Sequence, residues 1–361
     1  MVAMRGFEPL GIALIAIAGG LLLFGGFVLA IGHDPLEVLG VIVEGAFASS
    51  FAWQNTLLRA APLILTGLAV AIPAQVGLVM IGGEGALAIG GLAGASAALA
   101  LARAGASAPL LILLACVAAM LAGALVNAMA GALRTWRGMN ETIASLLLSY
   151  IAIAVFNHLV DGPLRDPASL NKPSTAPIPE ALLMSAMPGT ELHWGLAIGV
   201  VAALLAQIFV SRTSLGFAMR VAGGNLRAAR LVGLPVASLL VAACALGGAC
   251  AGLAGAIEVL AVHGAANASL LAGYGYTGIL VAFIARQQPL AAVPVAILLG
   301  GIAAAGSLLQ RRLDLPDATT QVLQGLLFVS ILASEALYGR INWRLRPLGL
   351  RTRGPAPASQ P

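Results

Sequence analysis

Apolar residues in this chain do not alternate with polar ones; they run on. Windows free or nearly free of charge recur at 10–31, 60–80, 86–102, 108–133, 142–160, 194–210, 236–257, 270–285, 289–309 and 320–336. A helix needs about 20 such residues to cross the hydrocarbon core of a bilayer. The pattern therefore predicts an all-α integral membrane protein with about ten transmembrane helices. The first window is too long for a signal-peptide core and reads as a retained span. Glycines crowd the starts of the third and eighth windows, at Gly82, Gly83 and Gly85 and again at Gly273, Gly275 and Gly278. That crowding predicts broken helices at both places, where freed backbone groups line a polar interior.

Composition strengthens the membrane reading. Of 361 residues, 60% are hydrophobic and 9% charged, against about 25% charged in soluble domains. Too few charges remain to keep a surface of this size in water. The net charge of +5 is explained by arginines beside the membrane and needs no nucleic acid. With the N-terminus inside, thirteen of the Lys and Arg residues fall on the inner side and six on the outer, which favours cytoplasmic N- and C-termini. The expected organisation is a transmembrane unit over 1–340, with a cytoplasmic loop at 212–235 and an outer loop at 161–191. A basic, proline-rich cytoplasmic tail follows at 341–361. The stretch "DGPLRDPASLNKPSTAPIPE" in the outer loop holds too many prolines for a regular helix. It is either a structured cap or a plain surface loop.

Several chemistries are excluded. Lys172 is the one lysine, so no P-loop can cradle ATP phosphates. No H-E-x-x-H occurs, and the four histidines are scattered. Cys116, Cys244 and Cys250 lie in apolar stretches without metal-ligand spacing and read as small buried residues. The chain reads as a transporter rather than an enzyme, with no metal and no cofactor of its own.

Four constellations carry the remaining polarity. In "GLVMIGGEGALAIGG", Glu84 stands between two apolar runs, where a charge costs at least about 2.5 kcal/mol. It is a substrate-pathway group, a residue in a short turn between spans, or a group that holds the break. In "MNETIASLLLSY", Asn140 suits a helix N-cap with Glu141 and Thr142 in the first turn. Ser145 and Ser149, at i and i+4, share a face and form either a polar seam or a packing contact. In "AGYGYTGILVAFIARQQPL", Tyr274 and Tyr276 offer aromatic faces to a base or sugar ring, or else belong to the interfacial belt. Glu258 and His263 precede this stretch near the outer end of a span, where they meet water.

The fourth is "GFAMRVAGGNLRAARLVGLP", from Gly216 to Pro235. Asn225 can cap a short helix that Gly233 ends, and Pro235 can open the next span. Arg227 and Arg230 share a face of that helix, with Ala228 and Ala229 between them. Arg220 lies ahead, and the pair Gly223 and Gly224 permits close backbone contact. A positive-inside anchor needs the arginines alone, whereas the glycine pair, cap and terminator together point to docking.

In order and spacing, "IGGEG", "NETIASLLLSYIA", the outer loop, "MRVAGGNLRAARLVGLP" and "GYGYTGILVAFIARQQPLAAV" resemble the permease subunits of bacterial ATP-binding-cassette importers, in the branch for nucleosides and simple sugars. The likeness spans about 81–324. It implies a multi-pass protein of the bacterial inner membrane that pairs with a second permease. It also implies ATPase partners that bind ATP and Mg, and an extracytoplasmic substrate-binding protein that delivers the solute. Residues 216–235 match the family's coupling loop. Three positions depart from it: the family commonly has Asn at Met80, Gln at Ala86 and Asn at Ser149. The solute expected from the resemblance is a nucleoside, with a monosaccharide second. An H⁺- or Na⁺-driven transporter using Glu84 or Glu258 is the reading from another class, and a membrane scaffold a weaker third.

Overall fold

The computed structural model describes residues 8–169 and 171–337. Arg5, both chain ends and the 341–361 tail lie outside the described residues. Among those described, the helices are α1 (Glu8–Ala30), α2 (Pro35–Phe47), α3 (Ser50–Ala74), α4 (Gly83–Arg103), α5 (Ala108–Arg137), α6 (Glu141–Asp161), α7 (Gly195–Arg212), α8 (Ser214–Gly224), α9 (Leu226–Leu231), α10 (Val236–Ile257), α11 (Tyr274–Ile284), α12 (Ala292–Leu313) and α13 (Ala318–Leu337).

Each of the ten apolar windows is met by a helix, but among the described residues seven helices are long and apolar enough to cross a membrane alone. α11 and the apolar part of α13 are shorter, and α1 is bent by 115° against α2. α2 is absent from the window pattern because Glu37 and Glu44 interrupt it. It forms because Asp34 Oδ1 accepts the Leu36 N–H at 2.8 Å and Pro35 opens its first turn.

α3 is also displaced from its window. Ser49 Oγ caps it by accepting the Ala52 N–H at 3.0 Å, so the helix starts ten residues before the window. Arg59 thus lies within the helix instead of in a loop. α3 stops at Ala74, and residues 75–82 leave helical conformation through Gly77 at φ +76°. At the far end of α10 a π-helical turn, Glu258–His263, buries Glu258 to 3% exposure. Its carboxylate lies 3.6 Å from His263 Nε2, so Glu258 does not meet water at a span end as the sequence suggested.

The core forms around α10, which packs on α3, α4 and α5. Small residues set these spacings. A Cβ on Gly123 of α5 would lie 2.8 Å from Gly252 Cα, and a Cβ on Gly252 would strike the Ala119 carbonyl and lie 3.3 Å from Gly123 Cα. In a lipid solvent, where apolar side chains gain little by leaving the tails, such backbone approach is a main source of helix association.

Several loop contacts join segments assigned to the same side. Gln75 Nε2 donates to Gln287 O at 2.9 Å, Gly223 packs on Gln75 and Gly77, and Arg134 pairs with Glu141 at 3.2 Å. At the opposite end the 161–191 loop is a structured cap. Thr175 N donates to Ala266 O at 3.0 Å, Ile178 N to Gly264 O at 2.8 Å and Met184 N to Leu260 O at 2.9 Å.

Gly252→Leu should prevent stable accumulation, because overpacking against backbone costs on the order of 3 kcal/mol. Gly19→Leu should accumulate normally, since no heavy atom stands within 4 Å of the added Cβ. Membrane levels and detergent melting curves of the two variants check this.

Candidate functional site

The break after α3 carries the chain into the bundle, so that α4 begins among other helices. Its freed backbone groups are met from α6. Thr142 Oγ1 donates to Val79 O at 2.9 Å, Ile81 N donates to Ser145 Oγ at 3.0 Å, and Gly85 N donates to Ser149 Oγ at 2.8 Å. Residues 142, 145 and 149 sit on one helical face, so α6 presents a hydroxyl ladder along the broken segment. The serine seam anticipated from spacing exists, and it bonds backbone. Gly82 and Gly85 allow the approach: a Cβ on Gly85 would lie 2.6 Å from Ser149 Cα, and one on Gly82 2.7 Å from Asn127 Oδ1.

α4 and α11 both start without a local side-chain cap, at Gly82 and at Gly273 with φ +83°. Glu84 supplies what α11 lacks. Its Oε1 accepts the Gly273 N–H at 2.9 Å and its Oε2 accepts the Gly275 N–H at 2.6 Å. The carboxylate is 1% exposed and lies in the first turn of its own helix. It therefore lies between two helix N-termini, each the positive end of a backbone dipole. Two charge-assisted bonds offset much of its burial cost. A Cβ on Gly83 would meet Gly275 Cα at 3.4 Å, and Gly275 itself has no room for one beside Glu84 N.

The tyrosines part company. Tyr274 is half-buried and packs against the main core. Tyr276 is 38% exposed, reaches Ser149, and lines an open cavity of about 250 Å³ with Gly273, Thr277, Gln321, Gln324 and Phe328. None of the described residues lining this cavity is charged. Asn140 stands apart as the exposed N-cap of α6, its Oδ1 accepting the Ile143 N–H at 3.1 Å.

One central residue escaped sequence reasoning. Asn127 of α5 is 1% exposed, and neither polar atom of its side chain has a hydrogen-bond partner among the described residues. Its signal was present: it is the one carboxamide in the 108–133 window.

The basic segment forms as anticipated, with additions. Asn225 Oδ1 accepts from Arg227 N at 2.9 Å and Ala228 N at 3.1 Å, and Gly233 follows α9 at φ +82°. α8 precedes it, capped by Thr213, where a loop was expected. Gly216 and Ala229 are buried within the chain. Gly223 leaves no space for a Cβ beside the Gln75 carbonyl, whereas Gly224 has no neighbour within 4 Å. The glycine requirement is thus internal at Gly223. Arg220, Arg227, Ala228 and Arg230 are exposed, and Leu231 and Val232 protrude at 89% and 70% exposure.

Comparison with known proteins adds the following. The family model described as branched-chain amino acid transport system / permease component matches residues 52–332. The glucose ABC transporter permease protein TsgB13 of Haloferax volcanii is 32% identical over 90% of this chain and 87% of its own length. The guanosine ABC transporter permease protein NupP of Bacillus subtilis is 27% identical over 90% and 94%. The nucleoside ABC transporter permease protein NupB of Lactococcus lactis is 26% identical over 80% and 81%.

Replacing Glu84 should lower the melting temperature in a definite order. Glu84→Ala strips both N–H groups of their acceptor, at about 1–3 kcal/mol each. Glu84→Gln keeps one acceptor and turns an NH₂ toward the other donor, so it should fall between Ala and wild type. Differential scanning fluorimetry in detergent reads the order; equal melting of all three would show that the cap contributes nothing.

Proposed function

The chain belongs to the branched-chain amino acid transport system permease component family and is a membrane permease of the ATP-binding-cassette class; from that premise we propose that it imports a nucleoside or simple sugar across the bacterial inner membrane. The observation that carries the solute class is the cavity beside α11, whose described lining is uncharged and mixes apolar with polar groups. The Tyr276 ring, Thr277 and Gln321, with Leu280 and Phe328 beside them, suit a hydroxylated ring and give a charged solute no counter-ion. Guanosine and glucose, which the named relatives carry, are both neutral and polar. Nucleoside remains our first assignment and monosaccharide our second.

The polar cavity is open on one side, and polar groups at membrane depth are not left facing lipid. We therefore assign that side to a second permease subunit, which would complete the solute path. Gly82, Gly83, Glu84, Gly85, Ser145 and Ser149 shape the wall by holding the break. Tyr276 faces the path, and Tyr274 supports it from the core. Asn140 acts at the helix start.

ATP and Mg belong to a partner ATPase. Its docking surface in our reading is the exposed part of 212–235, with Leu231 and Val232 as apolar knobs rimmed by Arg220, Arg227 and Arg230. The buried Gly216 and Ala229 position that surface. Motion has a short route inward: Gly223 lies on Gln75 and Gly77, the entry to the broken segment, and Gln75 also holds Gln287 after α11. An extracytoplasmic binding protein would deliver solute to the 161–191 cap, and the termini face the cytoplasm. An ion-driven mechanism fits less well, because both Glu84 oxygens are already bonded to backbone.

Cells lacking the chain and complemented with it should take up labelled guanosine or glucose, and depleting ATP while maintaining the proton gradient should stop that uptake. Leu231→Asp should cut uptake at least about tenfold at unchanged membrane level, as loss of an interface anchor does. Chain-dependent uptake that survives ATP depletion would instead support a secondary transporter. Uptake of neither solute would refute the assigned class.

A further inference from the structure

A second cavity, of about 290 Å³, opens where the C-terminal ends of α2 and α12 meet the first turn of α3. It lies on the face of the 161–191 cap region, since Glu191 N donates to Gln54 Oε1 of α3 at 3.3 Å. Its charged lining residues are Glu44 and Arg311. Glu44 is already engaged: its two oxygens accept from the Arg312 guanidinium at 2.5 Å and 2.8 Å. Among the described residues Arg311 forms no ion pair. Two cations against one anion leave a single positive charge at the cavity.

The rest of the wall has two characters. Ser49, Asn55 and Ser307 supply hydroxyl and amide groups. Phe51, 68% exposed, and Leu308 form an apolar lip. Arg is suited to a planar fork of bonds onto phosphate oxygens. We propose that this cavity binds the headgroup of an anionic glycerophospholipid, its phosphate on Arg311 and its acyl chains leaving past Phe51. A zwitterionic headgroup fits less well: its own cation balances its phosphate, and Glu44 is occupied by Arg312. A soluble phosphate has no use for the apolar lip.

The test titrates the full-length chain, purified in mild detergent, with phosphatidylglycerol, phosphatidylcholine or glycerol 3-phosphate and counts adducts by native mass spectrometry. Phosphatidylglycerol should be retained in preference to phosphatidylcholine. Arg311→Gln should weaken that retention about tenfold, the typical effect of losing one charge-assisted contact. Ser307→Leu, which fills the cavity and keeps the charge, should weaken it similarly. Arg103→Gln, an exposed arginine at the end of α4, should leave it unchanged. Equal binding of both lipids, or equal losses for the Arg103 and Arg311 variants, would refute the site. Displacement of phosphatidylglycerol by equimolar glycerol 3-phosphate would overturn the lipid assignment in favour of a soluble phosphate.

Discussion

A helix that stops inside a bilayer leaves backbone N–H and C=O groups with no water to bond, and this protein has two such stops facing each other. The Glu84 carboxylate joins them, accepting from Gly273 and Gly275 at the start of α11 while lying in the first turn of α4. Much of the surrounding sequence follows from that contact. Gly83 and Gly275 must lack side chains for the helix starts to meet, and α6 must carry Thr142, Ser145 and Ser149 on one face to bond the broken strand. The charge that looks most costly in the sequence holds together the part of the fold least able to hold itself.

That arrangement also leaves room for an uncharged cavity beside the break. Side chains of α6 bond the backbone of the broken segment, and Tyr276, Thr277 and Gln321 bring uncharged polar groups to the cavity beside Leu280 and Phe328. The break is tied to the opposite surface through Gly223, Gln75 and Gln287, so a displacement of α8 and α9 has a packed route to α4 and α11. On the proposed function, coupling and solute passage both depend on one broken segment.

What the sequence revealed was local in its physics. Asn225, Gly233 and Pro235 mark α9 because a cap, a left-handed terminator and a helix opener act within a few residues of themselves. The apolar windows locate helices because lipid imposes a length. The 161–191 loop was legible as non-helical from its prolines, but its role as a cap rests on bonds to residues 260–266, which no spacing rule reaches. Glu84 was marked as unusual by its place, yet its partners lie 189 and 191 residues away. α2 and the start of α3 were missed because Glu37, Glu44 and Arg59 interrupt the apolar runs although the helices continue. Gly223 was read as a surface contact, and the fold uses it internally against Gln75.

The bond between the Glu84 carboxylate and the α11 amides can be measured directly. Solid-state NMR on the full-length protein in bilayers, labelled with ¹³C at glutamate carboxyls and ¹⁵N at glycine, gives the distance from the Glu84 carboxyl carbon to the Gly275 amide nitrogen. A hydrogen-bonded pair places these atoms within about 4 Å, and a separation beyond about 6 Å would contradict the account.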